Sequence, residues 1–205
     1  MSRRPAAAAK APLLNARTIL YAAIALIVIG IVVWVGLASR NQVVPENATK
    51  AVGQSNLKVG DTAPEFSITT NAGPFDLASV STPVLLEVFA PWCPHCQRET
   101  SILNDLAKKY GGKLAIVAVS GDAVDYEHNG QPESQSNVNA FAANYQTRYP
   151  VAFDQNLKVA GQYLHSGFPS IHLIDKDKKI TFQREGEVPE ADLVKAIDAA
   201  LGTNV

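Results

Sequence analysis

The chain has 205 residues, 47% of them hydrophobic, and a formal net charge of −1. That is enough for one globular domain plus extras. The charge is uneven: residues 1–17 carry Arg3, Arg4, Lys10 and Arg17 and no acid, while residues 56–205 carry 12 Lys+Arg against 18 Asp+Glu. No basic stripe is left over for nucleic acid, which excludes that class of partner.

The first predicted element is an uncharged run, residues 18–39, "TILYAAIALIVIGIVVWVGLAS". As a helix it is about 33 Å long, enough for a bilayer core of roughly 30 Å. Tyr21 and Trp34 stand near its ends, where interfacial aromatics sit. The basic residues precede it, so residues 1–17 are expected to stay in the cytoplasm as a tail, with the chain after the anchor exported. A cleaved signal peptide is the alternative, with small residues at Gly36 and Ala38. Its apolar region usually spans only about 7–15 residues, so the run favours an uncleaved single-pass anchor in the cell membrane. Residues 40–57 are polar and aperiodic and are expected to form a flexible linker. Asn47-Ala48-Thr49 within it fits a glycosylation sequon.

Residues 58–205 carry the domain proper. "FSITT" and "PFDL" flank Asn71-Ala72-Gly73 and predict a hairpin. "VLLEVFA" (84–90) is apolar on both faces except at Glu87, as in the centre of a covered sheet. Pro94 then suits the first turn of a helix. Ile102, Leu103, Leu106 and Tyr110 continue that helix, and Gly111-Gly112 stops it. "LAIVAVS" (114–120) is a second buried strand. Residues 121–136 form an acidic, polar loop, expected either to be plainly solvated or to act as a docking lid. A helix is expected from about Asn137 to Thr147, then the strand "VAFD" and a helix over 155–164. "SIHLID" and "KITFQRE" predict a second hairpin, and 189–201 an amphipathic closing helix. This order implies an α/β sandwich.

Cys93 and Cys96 are the only cysteines, in Cys93-Pro94-His95-Cys96. As a structural staple they would close a four-residue loop, worth roughly 2 kcal/mol. A domain of this size needs no such staple. A closed metal site needs four ligands, and there is no second cysteine pair. His128, His165 and His172 are distant in sequence. A two-thiolate copper(I) site, in an extracytoplasmic copper carrier, is the alternative reading. Redox chemistry fits the spacing better. Cysteines at i and i+3 on a helix start share one face, and the helix N-terminus favours the Cys93 thiolate. Cys96, one turn in, is expected to be less exposed and to resolve the mixed disulfide. Pro94 and His95 are expected to tune the potential. Glu87, costly to bury unless paired or protonated, is expected to exchange the proton that Cys96 must gain or lose.

"LLEVFAPWCPHC" resembles the thioredoxin superfamily. The likeness covers roughly residues 58–202. "KVGDTAPEFSITTNAGPFDL" and "FPSIHLID" are similar to the membrane-tethered TlpA/ResA-type thiol–disulfide oxidoreductases, whereas the Pro-His dipeptide is of the DsbA type. The resemblance implies a thioredoxin fold: a central mixed sheet flanked by helices, with an N-terminal hairpin, here after a single transmembrane helix. It implies a substrate groove at Trp92, Phe168 and Pro169, with a cis-proline at Pro169. It also implies an acid near the site at Glu99, against the plainer reading of a solvated helix glutamate. No cofactor is implied beyond the Cys93–Cys96 disulfide. The implied partners are protein thiols and disulfides and a membrane redox partner that recycles the pair, for a monomer. The TlpA/ResA frame implies a reductase, with cytochrome c maturation among its roles, and the dipeptide an oxidant. Phe168 is bulkier than is usual at its position. A related peroxidase would place Pro and Thr or Ser seven and three residues before the reactive cysteine, where this chain has Leu86 and Ala90.

Overall fold

The computed structural model describes residues 16–39, 55–125 and 130–203. The basic tail up to residue 15, residues 40–54 of the linker with the Asn47 sequon, and His128 lie outside the described residues. Helix α1 spans Ala16–Ser39, and its described side chains are exposed. Among the described residues no helix is long and apolar enough to cross a membrane. The described side chains of α1 run unbroken only from Ile19 to Trp34, and the expected span over 18–39 extends past them on both sides.

The domain is built on a seven-stranded mixed sheet. Strands β1 (Ser67–Thr70) and β2 (Gly73–Asp76) form the predicted hairpin. Thr70 joins it to the main sheet by pairing with Ala152. Strand β3 (Val84–Phe89) lies at the centre, parallel to β4 (Ala115–Ser120) and antiparallel to β8 (Ser170–Ile174). Beyond β4 runs β7 (Val151–Phe153), and beyond β8 runs β9 (Ile180–Glu185).

Side chains on a strand alternate between faces, so β3 feeds two cores. Leu85 and Phe89 point to the side packed by helices α2 (Pro94–Tyr110) and α5 (Glu190–Ala200), with Leu103, Leu106, Leu193 and Ile197. Val84, Leu86 and Val88 point to the other side, among Phe66, Leu77, Tyr163 and Leu164. Glu87 shares the parity of Leu85 and Phe89, which sets it on the face of the cysteine-bearing helix. His172, opposite Leu86, belongs to the other face. It is fully buried, its Nε2 lies 2.7 Å from the Tyr163 carbonyl, and burial pulls its pKa down to about 4.

Three expectations shift. The helix expected from Asn137 begins earlier, as α3 (Gln135–Asn144), because the Ser134 side chain accepts from the Asn137 N–H at 3.2 Å. The helix expected over 155–164 is reduced to α4 (Ala160–Tyr163). Leu157 takes a positive φ, and the Asp154 carboxylate accepts the N–H groups of Lys158, Val159 and Ala160. The 121–136 loop contains a small hairpin, β5 (Val124–Asp125) and β6 (Gln131–Pro132), with residues 126–129 outside the described set. Asp122, Asp125 and Glu133 are buried in it, so it is not plainly solvated. Burial, with Asp125 and Asp122 nearby, holds Glu133 up at about 7.

Candidate active site

Strand β3 ends at Phe89 and the chain turns into α2 through Cys93, the residue that caps the helix. The Cys93 backbone is extended (φ −78°, ψ 117°), and Pro94 opens the helix. Both cysteines are free thiols, Cys93 5% exposed and Cys96 fully buried. The Cys93 pKa is lowered to about 6, first by a hydrogen bond from the Cys96 thiol. The Cys96 and His95 N–H groups and the charge of His95 add to this, against a burial cost that works the other way. Cys96 is pushed far above the usual thiol range by burial, by the bond it donates to Cys93, and by Glu87. One thiol is therefore set up to be a thiolate and its neighbour to keep its proton.

Glu87 is fully buried, and among the described residues neither carboxyl oxygen has a hydrogen-bond partner. Burial raises its pKa well above the carboxyl range, with Glu99 and Cys93 adding repulsion. Glu99, one turn beyond Cys96, is also fully buried, so the solvated reading of it is wrong. Its Oε2 accepts the Val188 N–H at 3.0 Å, and burial holds it up at about 7. Tyr149 is buried near these acids, and both Glu87 and Glu99 act to keep its phenol protonated. The Thr100 hydroxyl donates to the Cys96 carbonyl at 2.9 Å.

Above the thiols, the Phe168–Pro169 peptide is cis, and Cys93 Sγ lies 3.8 Å from the Phe168 carbonyl oxygen. Trp92 meets the Phe168 ring edge to face at 6.1 Å, and its indole N–H donates to the Val124 carbonyl at 3.1 Å. The bulk of Phe168 is accommodated by a glycine. A Cβ on Gly121 would lie 2.4 Å from Val88 Cγ1 and 3.1 Å from Phe168 Cε1. Gly121→Ala is therefore expected to destabilise the domain by roughly 1–3 kcal/mol through overpacking, and to slow exchange with protein substrates by displacing Phe168. A urea midpoint equal to that of the parent would refute this.

Sequence reasoning missed two charged residues at the rim. Glu187 Oε1 lies 2.5 Å from His95 Nδ1 and accepts from Arg98 Nε at 2.9 Å and from Arg98 Nη2. The spacing of His95 and Arg98, three residues apart on a helix, signals a shared face. Glu187 has no local signal, since it arrives from the far end of β9. The segment carrying it has two further ties: the Gly186 N–H donates to the Pro169 carbonyl at 2.8 Å, and Val188 holds Glu99. Among the described residues no group of three or more His, Cys, Asp or Glu side chains could hold a metal ion.

A mixed sheet with a thiol pair at a helix start, one thiol activated and the other fully buried and acted on by the Glu87 carboxyl, defines a thiol–disulfide oxidoreductase of the thioredoxin fold. Residues 59–183 match the AhpC/TSA family, and the chain belongs to it. It is similar to the thiol–disulfide oxidoreductase ResA of Bacillus anthracis, 30% identical over 143 residues, covering 68% of this chain and 77% of ResA. It is also similar to the thioredoxin-like protein YneN of Bacillus subtilis, 27% identical over 146 residues, covering 69% and 80%. Among solved structures, one from Chlorobium tepidum titled as a thiol:disulfide interchange protein DsbE superposes with a TM-score of 0.63 at 29% identity. It covers 72% of this chain and 100% of that one.

Proposed function

We propose that this protein exchanges a dithiol for a disulfide with protein substrates outside the cytoplasm, tethered to the membrane by its N-terminal helix. The observation that carries the exchange reading is the placing of the two thiols: Cys93 caps α2 and Cys96 is fully buried one turn in, which lowers the Cys93 pKa and raises that of Cys96. In the reducing direction the Cys93 thiolate attacks a substrate disulfide. One substrate sulfur leaves as thiolate and a mixed disulfide forms. Forming it removes the negative charge on Cys93 that repels Glu87. Glu87 then releases its own proton to solvent, ionises and takes the Cys96 proton. The Cys96 sulfur attacks Cys93, the second substrate thiolate leaves, and Cys93–Cys96 is oxidised as the substrate is reduced. Oxidation of a substrate dithiol runs the same steps backwards, with Glu87 returning the proton. Trp92, Phe168 and Pro169 form the surface over which the substrate chain lies.

The tether rests on the uncharged run 18–39 of the sequence. The basic tail favours a cytoplasmic N-terminus. A membrane partner is then needed to recycle the pair. Fractionation with protease protection tests this: a domain shielded inside intact cells would refute it.

The potential decides the direction of flow. Thiol pKa values of about 7 and 3.5 accompany potentials of about −270 mV in thioredoxin and −120 mV in DsbA. The lowered Cys93 pKa favours the reduced, thiolate form and so moves the potential up from the thioredoxin value. Titration against glutathione checks it. A value near −120 mV would make the protein a strong oxidant and exclude the reducing role that cytochrome c maturation requires.

A further inference from the structure

The His95–Arg98–Glu187 cluster has no part in the exchange steps above, yet it stands beside the thiol that performs them. His95 Nδ1 lies 2.5 Å from a carboxylate oxygen, an acceptor, and 2.8 Å from Arg98 Nη2, a donor. With a proton on Nδ1 the ring donates to Glu187, which orients it. Both side chains act on Cys93: His95 favours its thiolate, and Arg98 and Cys93 interact attractively. Hydrogen bonds from Arg98 and His95 hold the Glu187 pKa down at about 2, so it stays ionised. It is anchored from behind, because the residues on either side of it are tied to Pro169 and Glu99.

We infer that Glu187 is a positioning residue that sets the redox poise of the Cys93–Cys96 pair, by engaging His95 and Arg98 and partly cancelling their charge. The inference rests on the thiol-exchange reading and deepens it. A cation near Cys93 stabilises the reduced, thiolate form and raises the potential, and a neighbouring anion does the reverse.

The test is redox titration of the full-length protein and its variants against glutathione, with the Cys93 pKa followed by thiolate absorbance. Glu187→Gln keeps the size and an acceptor but removes the charge. It is expected to shift the equilibrium about fivefold toward the reduced form, near +20 mV for a two-electron couple, and to lower the Cys93 pKa. Arg98→Gln is expected to shift both quantities the opposite way. A purely structural disturbance has no reason to change sign between the two, and Glu187→Asp is expected to restore most of the parent value. If the parent exchanges with glutathione but Glu187→Gln leaves its potential and Cys93 pKa unchanged, or moves them as Arg98→Gln does, the inference is overturned and the exchange reading stands. A parent that does not exchange at all overturns both.

Discussion

Replacing Cys96 by serine is expected to halt turnover and leave the protein covalently joined to its substrates. Cys93 keeps its helix N-terminal position and its neighbours' N–H groups, so it still attacks. The sulfur that would release the adduct is gone. Trapped adducts should run as high-mass bands that collapse on adding a reductant. Cys93→Ser should form none, because Cys96 is fully buried and strongly protonated. Both variants should fall to the buffer background in insulin reduction. Adducts in Cys93→Ser and none in Cys96→Ser would reverse the assigned roles. Tight stoichiometric copper(I) binding that needs both cysteines, with no exchange activity in the parent, would instead favour the carrier reading.

Replacing Glu87 should separate stability from rate. Its carboxyl is buried without a hydrogen-bond partner among the described residues, and burying such a group costs roughly 2 kcal/mol. Glu87→Leu is therefore expected to stabilise the domain by about that much. Glu87→Gln is expected to slow the Cys96 step roughly 100-fold, the low end for a lost general acid or base. The effect on stability has a defined sign. The folded-state pKa of Glu87 is raised, so its contribution is fully present below the unfolded carboxyl range and is lost as pH rises through the folded value. Glu99 behaves alike between 4.5 and about 7, a difference worth about 3 kcal/mol. Glu99→Gln should flatten that part of the urea midpoint against pH. A Glu99→Gln midpoint that falls across this window as steeply as the parent's would contradict the Glu99 assignment, and unchanged exchange kinetics in Glu87→Gln would remove the proton role of Glu87.

The strands and the thiol pair were legible because their signals are local. Five apolar residues around one glutamate mark Val84–Phe89, Pro94 marks the helix start, and the polar Lys176-Asp177-Lys178 turn marks the hairpin between β8 and β9. Glu87 stood out as the one charge in an apolar strand. What could not be read depends on pairs brought together by topology. Glu187 meets His95 and Arg98 from 92 and 89 residues away, and Val188 reaches Glu99 across 89 residues. Gly121 gives no hint in the chain that Val88 and Phe168 fill the space above it. Asp154 shortens a helix that periodicity alone would extend, because its carboxylate competes for the same N–H groups.

The central position of β3 has a consequence for where protons can go. Glu87 and Cys96 are fully buried, with β4 and β8 walling the strand on both sides, and Cys93 is 5% exposed. The two sulfurs therefore differ in reach. In the proposed exchange a substrate meets Cys93 first, and Cys96 hands over its proton inside the domain, where Glu87 on β3 acts on it.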